Sequence, residues 1–105
     1  PPRLISTAGL EIDLEQYRVT RDGQNIRLTP NEFKLLTIMA RNPGLILSRE
    51  QLIEHLHGIA ATGFDRSIDS HIKNLRRKIE PDPSTPVFIQ TVWGEGYRFS
   101  PGADD

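Results

Sequence analysis

The period of the hydrophobic positions changes twice along the chain. Leu10, Ile12 and Leu14 alternate with Glu11, Asp13 and Glu15, the pattern of a half-buried strand. Tyr17–Thr20 and Gln24–Leu28 are strand-like runs flanking Arg21-Asp22-Gly23, and Asp-Gly marks a hairpin because glycine accepts the positive φ of a tight turn. Residues 3–28 are therefore expected to form a small antiparallel sheet. At Thr29 the period becomes helical. Thr29 reads as an N-cap, Pro30 as the first helical residue and Glu32 as the partner that closes a capping box. Phe33, Leu35, Leu36, Ile38, Met39 and Ala40 supply a broad apolar face, which Asn42-Pro43-Gly44 ends. Leu45–Leu47 is a short apolar link. Ser48-Arg49-Glu50-Gln51 is a second capping box, ahead of core-facing Leu52, Ile53 and Leu56. Gly58 to Phe64 is a loop of small residues, and Asp65 can cap a third helix that runs to about Glu80, before Pro81. Asp82–Pro86 is a stiff turn. Val87–Val92 and Tyr97–Phe99 then form strands joined by Trp93-Gly94-Glu95-Gly96, and a polar tail follows.

The expected order is an N-terminal antiparallel β-sheet (3–28), three helices (29–80), a C-terminal β-hairpin (87–99) and a tail (100–105). In fold class this is α+β, and the plan is that of a winged helix-turn-helix. The 105 residues suffice for one such domain. Pro1-Pro2 reads as the end of a linker or as a cut in a longer protein. The absence of cysteine removes a disulfide framework, a thiolate metal site and a cysteine nucleophile. His55 and His57 lie two apart and share no helix face, so the three histidines do not suggest a metal set, and no cofactor is expected. With neither an apolar run of bilayer length nor a signal peptide, the expected location is cytoplasmic, away from membranes.

Net charge is −1, which gives no electrostatic argument for the chain as a whole. Its distribution does. Residues 66–78 carry five cations against Asp69 alone, whereas the segment after them is acidic. At about 100° per residue, Ile68, Ile72, Leu75 and Ile79 fall within an arc of about 60° and must pack inward. Arg66, Ser67, Ser70, Lys73, Asn74 and Arg77 fall on the opposite side. A merely solvated helix interleaves Glu with Lys, whereas this face mixes cations with small and amide side chains. Ser67 and Ser70 allow close approach to base edges, Asn74 can match the donor and acceptor of adenine, and the cations suit phosphates or guanine. Asp69, on the flank, is placed to pair with Lys73 or Arg76.

Four ordered blocks carry a family resemblance: Leu28–Leu36, Leu47–Leu52, Asp65–Ile79 and Ile89–Phe99. They resemble the DNA-binding effector domain of OmpR/PhoB-type response regulators, and the third-helix block is most like the BaeR/CpxR branch. The resemblance implies a transcription-regulating domain of a two-component system, with the phosphate-accepting receiver domain absent from these residues. It places Ser67, Ser70 and Asn74 at base-reading positions. Arg66, His71, Lys73, Arg76, Arg77, Thr91, Tyr97 and His57 fall at backbone-gripping or flanking positions. It further implies a direct-repeat operator in double-stranded DNA, a second copy bound head-to-tail, and a sensor histidine kinase reached only through the receiver. The 58–64 loop is either a connector or, as in the family, a contact to RNA polymerase. Two positions depart from the family pattern. The wing tip Trp93-Gly94-Glu95 has Trp93 where an arginine is common, and His57 stands where tryptophan is common. Trp93 is either an exposed contact or part of a packed wing base.

An enzyme would need a nucleophile–base set, a carboxylate pair or a phosphate-cradling loop, none of which is recognisable. The alternative is a winged-helix module for protein contacts without sequence-specific DNA binding. That alternative expects an uncharged or acidic third helix, unlike this one.

Overall fold

The computed structural model describes residues 4–57 and 65–100. Four short strands, β1 (Leu4–Thr7), β2 (Leu10–Asp13), β3 (Arg18–Arg21) and β4 (Gln24–Ile26), form an antiparallel sheet in the order β1-β2-β3-β4. The Asp22-Gly23 turn joins β3 to β4 as expected, with φ of 51° and 85°, and pairs Arg21 with Gln24. The first hairpin is an addition to the sequence reading. Ala8 and Gly9, both at positive φ, turn β1 onto β2. Beyond β2, the Asp13 carboxylate accepts the Glu15 and Gln16 N–H groups, so Leu14 lies in a turn. Tyr17, at φ 55°, also stands outside the strand that was expected to include it.

Helix α1 (Pro30–Ala40) begins with the expected capping box. Thr29 Oγ1 accepts the Glu32 N–H at 3.2 Å and Glu32 Oε1 accepts the Thr29 N–H at 3.0 Å. Helix α2 (Arg49–His57) begins with the reciprocal Ser48–Gln51 pair, at 3.0 and 2.9 Å. Each box satisfies helix-end donors that have no intrahelical partner. Helix α3 (Asp65–Ile79) packs on both through Ile68, Ile72, Leu75 and Ile79, all buried as the stripe required. Leu35, Leu36, Met39, Leu52, Ile53 and Leu56 meet it, and Leu10, Ile12 and Val19 extend the core under the sheet. Among the described residues no helix is long and apolar enough to cross a membrane.

The wing is the antiparallel pair β5 (Ile89–Val92) and β6 (Gly96–Phe99). Leu47 adds to its edge by exchanging N–H···O bonds of 2.8 and 2.9 Å with Tyr97. The apolar link is thus a third, one-residue strand. Two boundaries differ from the sequence reading. Gly96 belongs to β6, opposite Val92, and the turn is Trp93-Gly94-Glu95. At the other end, β5 starts at Ile89, opposite Phe99, and the N–H groups of Val87 and Phe88 before it are taken by the Glu80 carboxylate. Glu80, 2% exposed, accepts from Val87, Phe88 and Ile89 at 2.7–3.1 Å and so ties the end of α3 to the start of the wing.

Candidate nucleic-acid interface

Helix α3 exposes Ser70, Lys73, Asn74 and Arg77 opposite its buried stripe and leaves His71 half-buried. The side chains of His57, Arg66 and Ser67 lie outside the described residues, as does the 58–64 loop. The exposed set combines a hydroxyl, an amide and two cations, the donors and acceptors that base edges and phosphates match.

The basic block does not act as one charge patch. Lys78 turns back to Glu32, its Nζ 2.6 Å from Oε1. Burial alone would raise the Glu32 carboxyl, but the bonds from Lys78 and Thr29 outweigh it and hold its pKa below the ordinary glutamate value. Arg76 turns to the wing. Its Nε and Nη2 donate to the Ile89 carbonyl at 3.2 and 2.9 Å, and Nη2 donates to Thr91 Oγ1 at 2.8 Å. Of the described cations in the block, Lys73 and Arg77 are the exposed ones. Another cation, Arg21 of β3, donates to the Ile79 carbonyl at 2.9 Å, where a helix C-terminus attracts positive charge.

Asp69 pairs with neither Lys73 nor Arg76. Its Oδ1 accepts from Arg49 Nε of α2 at 2.7 Å and from the Tyr97 hydroxyl of β6 at 2.6 Å. Two short bonds to tertiary neighbours replace the expected contact within the helix. Partial burial raises the Asp69 carboxyl, but these two bonds and the Arg49 charge more than cancel it, so the group titrates below an ordinary aspartate. Tyr97 is shifted up, first by burial and then by its bond to Asp69. The guanidinium groups of Arg49 and Arg76 also lie over its ring, each 5.6 Å from the ring centroid. Tyr97, Arg76 and the Thr91 hydroxyl oxygen are therefore engaged in holding the wing against α2 and α3.

This clamp leaves a groove of about 320 Å³ beside α3, lined by Lys73, Arg76, Arg77, Tyr97, Pro83 and Ser84 among others. Trp93 takes no part in a packed base and is 89% exposed at the wing tip. Sequence reasoning missed Arg49, and no local spacing could have found it, because its partner lies 20 residues away. Glu80 did carry a weak signal, as an acid at the C-terminal end of a helix where the macrodipole disfavours it. Asp69→Ala is expected to lower stability by about 1 kcal/mol, since half of that carboxylate faces water. Urea denaturation of Asp69→Ala, Tyr97→Phe and the double variant should give a non-additive cycle. Additive losses would mean that the bond contributes nothing.

The family model "Transcriptional regulatory protein, C terminal" matches residues 23–99. The response regulator MtrA of Mycobacterium tuberculosis is 40% identical over 101 residues, covering 96% of this chain and 44% of MtrA. The transcriptional regulatory protein BaeR of Escherichia coli is 45% identical over 94 residues, covering 90% of this chain and 39% of BaeR. The chain thus spans less than half the length of these curated relatives. Among solved structures, the Klebsiella pneumoniae RstA DNA-binding domain in complex with the RstA box superposes with a TM-score of 0.85 at 35% identity, over 95% of this chain and 99% of that one. DrrB of Thermotoga maritima, an OmpR/PhoB homologue, superposes equally well at 36% identity, covering 93% of this chain and 44% of DrrB.

Proposed function

Since the chain belongs to the C-terminal transcriptional regulatory family of OmpR/PhoB-type response regulators, we propose that it is a sequence-reading, double-stranded DNA-binding effector domain. The carrying observation is the outward face of α3, where Ser70, Lys73, Asn74 and Arg77 stand exposed beside a wing clamped to the same helix. In this reading α3 enters the major groove and the wing lies on adjacent backbone or minor groove. Asn74 reads adenine, and Ser70, with Ser67, permits close approach to the bases. Lys73 and Arg77 grip phosphates, joined by Arg66, His71 and His57 at the flanks. Thr91 can still give its hydroxyl proton to a phosphate. Arg76 and Tyr97 serve chiefly as positioning residues that keep the wing at a set distance from α3.

The same reading makes the chain the output module of a cytoplasmic two-component regulator, with a receiver and sensor kinase upstream. Two copies bind head-to-tail on a direct repeat, and the 58–64 loop touches RNA polymerase. Selection from a randomised duplex library at two salt concentrations tests the core of it. Enrichment of a direct repeat about one helical turn apart is the expected outcome. Absence of binding at either salt would favour a protein-contact module instead.

Two substitutions separate reading from gripping. Asn74→Ala is expected to cost about 1–3 kcal/mol and to relax preference at one or two base pairs. Equal loss on enriched and random duplexes would contradict base reading by Asn74. Lys73→Ala is expected to weaken binding to all sequences alike and to lower the salt slope by about one unit. An unchanged slope would remove Lys73 from the phosphate contacts.

A further inference from the structure

The described sheet ends at β4, which pairs with β3 on one side and with no strand on the other. Two cavities adjoin this strand and share Ile26. The first, of about 280 Å³, is walled by Tyr17, Val19, Ile26, Leu28 and Phe33, with Lys34 at its side. The second, of about 270 Å³, is lined by Arg21, Gln24, Asn25, Arg27 and Lys78 around Ile26. From Gln24 to Leu28 the two span about 13 Å, the length of four or five extended residues. None of their lining residues belongs to the α3 set assigned above to DNA.

The second cavity is lined by three cations and two amides and by no carboxylate. Arg21 gives one guanidinium N–H to the Ile79 carbonyl and Lys78 gives one to Glu32, and each keeps further donors. Arg27 is exposed and takes part in no ion pair among the described residues. The nearby acids are turned to other partners. Glu32 is 3% exposed and accepts from Lys78 and the Thr29 N–H, while the Asp22 carboxylate lies against Gly9. Two guanidinium forks and an ammonium are a ready match for carboxylates.

The first cavity offers apolar surface instead. Tyr17 sits at φ 55°, a conformation that bulky residues rarely adopt, yet it is 77% exposed, so burial does not offset the strain. Its ring tilts at 58° against Phe33, with centroids 5.3 Å apart, and makes an aromatic wall. A small oxyanion would fill the cationic half and leave this wall wet. A neutral apolar segment would leave the cations unmatched. An occupant that satisfies both halves carries acids beside apolar side chains.

We propose that the β4 edge is a docking site for an extended acidic segment of a partner protein. Its carboxylates lie on Arg21, Arg27 and Lys78, and a neighbouring apolar side chain packs on Tyr17 and Phe33. The inference does not depend on the DNA-binding reading. The probe is an end-blocked peptide that alternates aspartate with phenylalanine and leucine, titrated into the isotope-labelled chain and followed by NMR.

Amide shifts should saturate at Arg21, Asn25, Ile26 and Phe33 and leave Asn74 and Arg77 unmoved, and added salt should weaken binding. Arg27→Glu and Tyr17→Asn should each weaken it about tenfold. Both side chains are exposed, and asparagine accepts the φ of position 17, so the remaining amide spectrum should stay that of the folded chain. Absence of saturable shifts, or shifts confined to Lys73 and Arg77, would overturn the proposal. Equal binding with lysine in place of aspartate would overturn the role of the cations. Equal binding with serine in place of the apolar residues would reduce the site to a plain anion site and overturn the two-part groove. The same amides moving as the free chain is concentrated, or on adding duplex DNA, would make a second copy or a phosphate backbone the occupant instead.

Discussion

Glu80→Ala is expected to lower stability by about 3–5 kcal/mol, a large part of what a domain of this size possesses. The carboxylate is 2% exposed and accepts the N–H groups of Val87, Phe88 and Ile89. Truncation leaves the Phe88 and Ile89 donors buried without partners, each costing about 1–3 kcal/mol, and forfeits bonds strengthened by the negative charge. It also removes an acid from a helix C-terminus, a small gain that offsets little. Urea denaturation followed by circular dichroism measures the loss. Glu80→Gln should fall between the two, since its amide retains one acceptor oxygen but turns a donor toward donors. A midpoint unchanged in Glu80→Ala would mean that water replaces the carboxylate without cost.

The second large effect is expected at Gly96. Its φ of +146° lies where side chains are rarely tolerated, and an added Cβ would collide with the Leu47 carbonyl oxygen and lie 2.8 Å from its carbon. Because both contacts are backbone, relief requires the Leu47–Tyr97 pair to open. Gly96→Ala should therefore cost about 2–4 kcal/mol and weaken amide-exchange protection at Leu47 and Tyr97. Gly94→Ala is the control. Gly94 also has positive φ, but no atom lies within 4 Å of an added Cβ, so the cost should be only about 1 kcal/mol. Equal losses at the two positions would show that backbone conformation alone, and not the close approach, makes glycine necessary at 96.

The two predictions concern the joins of the wing to α3 and to the link between α1 and α2, where sequence reading was weakest. Arg76 and Tyr97 stood at positions that the family resemblance linked to phosphate. In the folded chain they bond to residues 13 and 28 positions away. The first hairpin was missed for a different reason. β1 has no buried residue, and its turn, Ala8-Gly9, lacks the Asn-Gly or Asp-Gly that announces such a turn. The outward set on α3 was legible because the same four-residue stripe that buries Ile68, Ile72, Leu75 and Ile79 sets what faces away from it.

Local chemistry alone was enough to specify the two capping boxes, the Asp22-Gly23 turn, the faces of the helices and the order of elements from β2 onward. Each of these depends on groups within about four residues of one another, so the code is written in adjacent positions. Folding assigned the charges. It turned Lys78 to Glu32, Arg76 to the wing, Asp69 to Arg49 and Tyr97, and Glu80 to three backbone N–H groups, and it left Trp93 bare. A long charged or polar side chain bonds with whichever partner the packed core brings within about 3 Å, and chain separation places no limit on that partner.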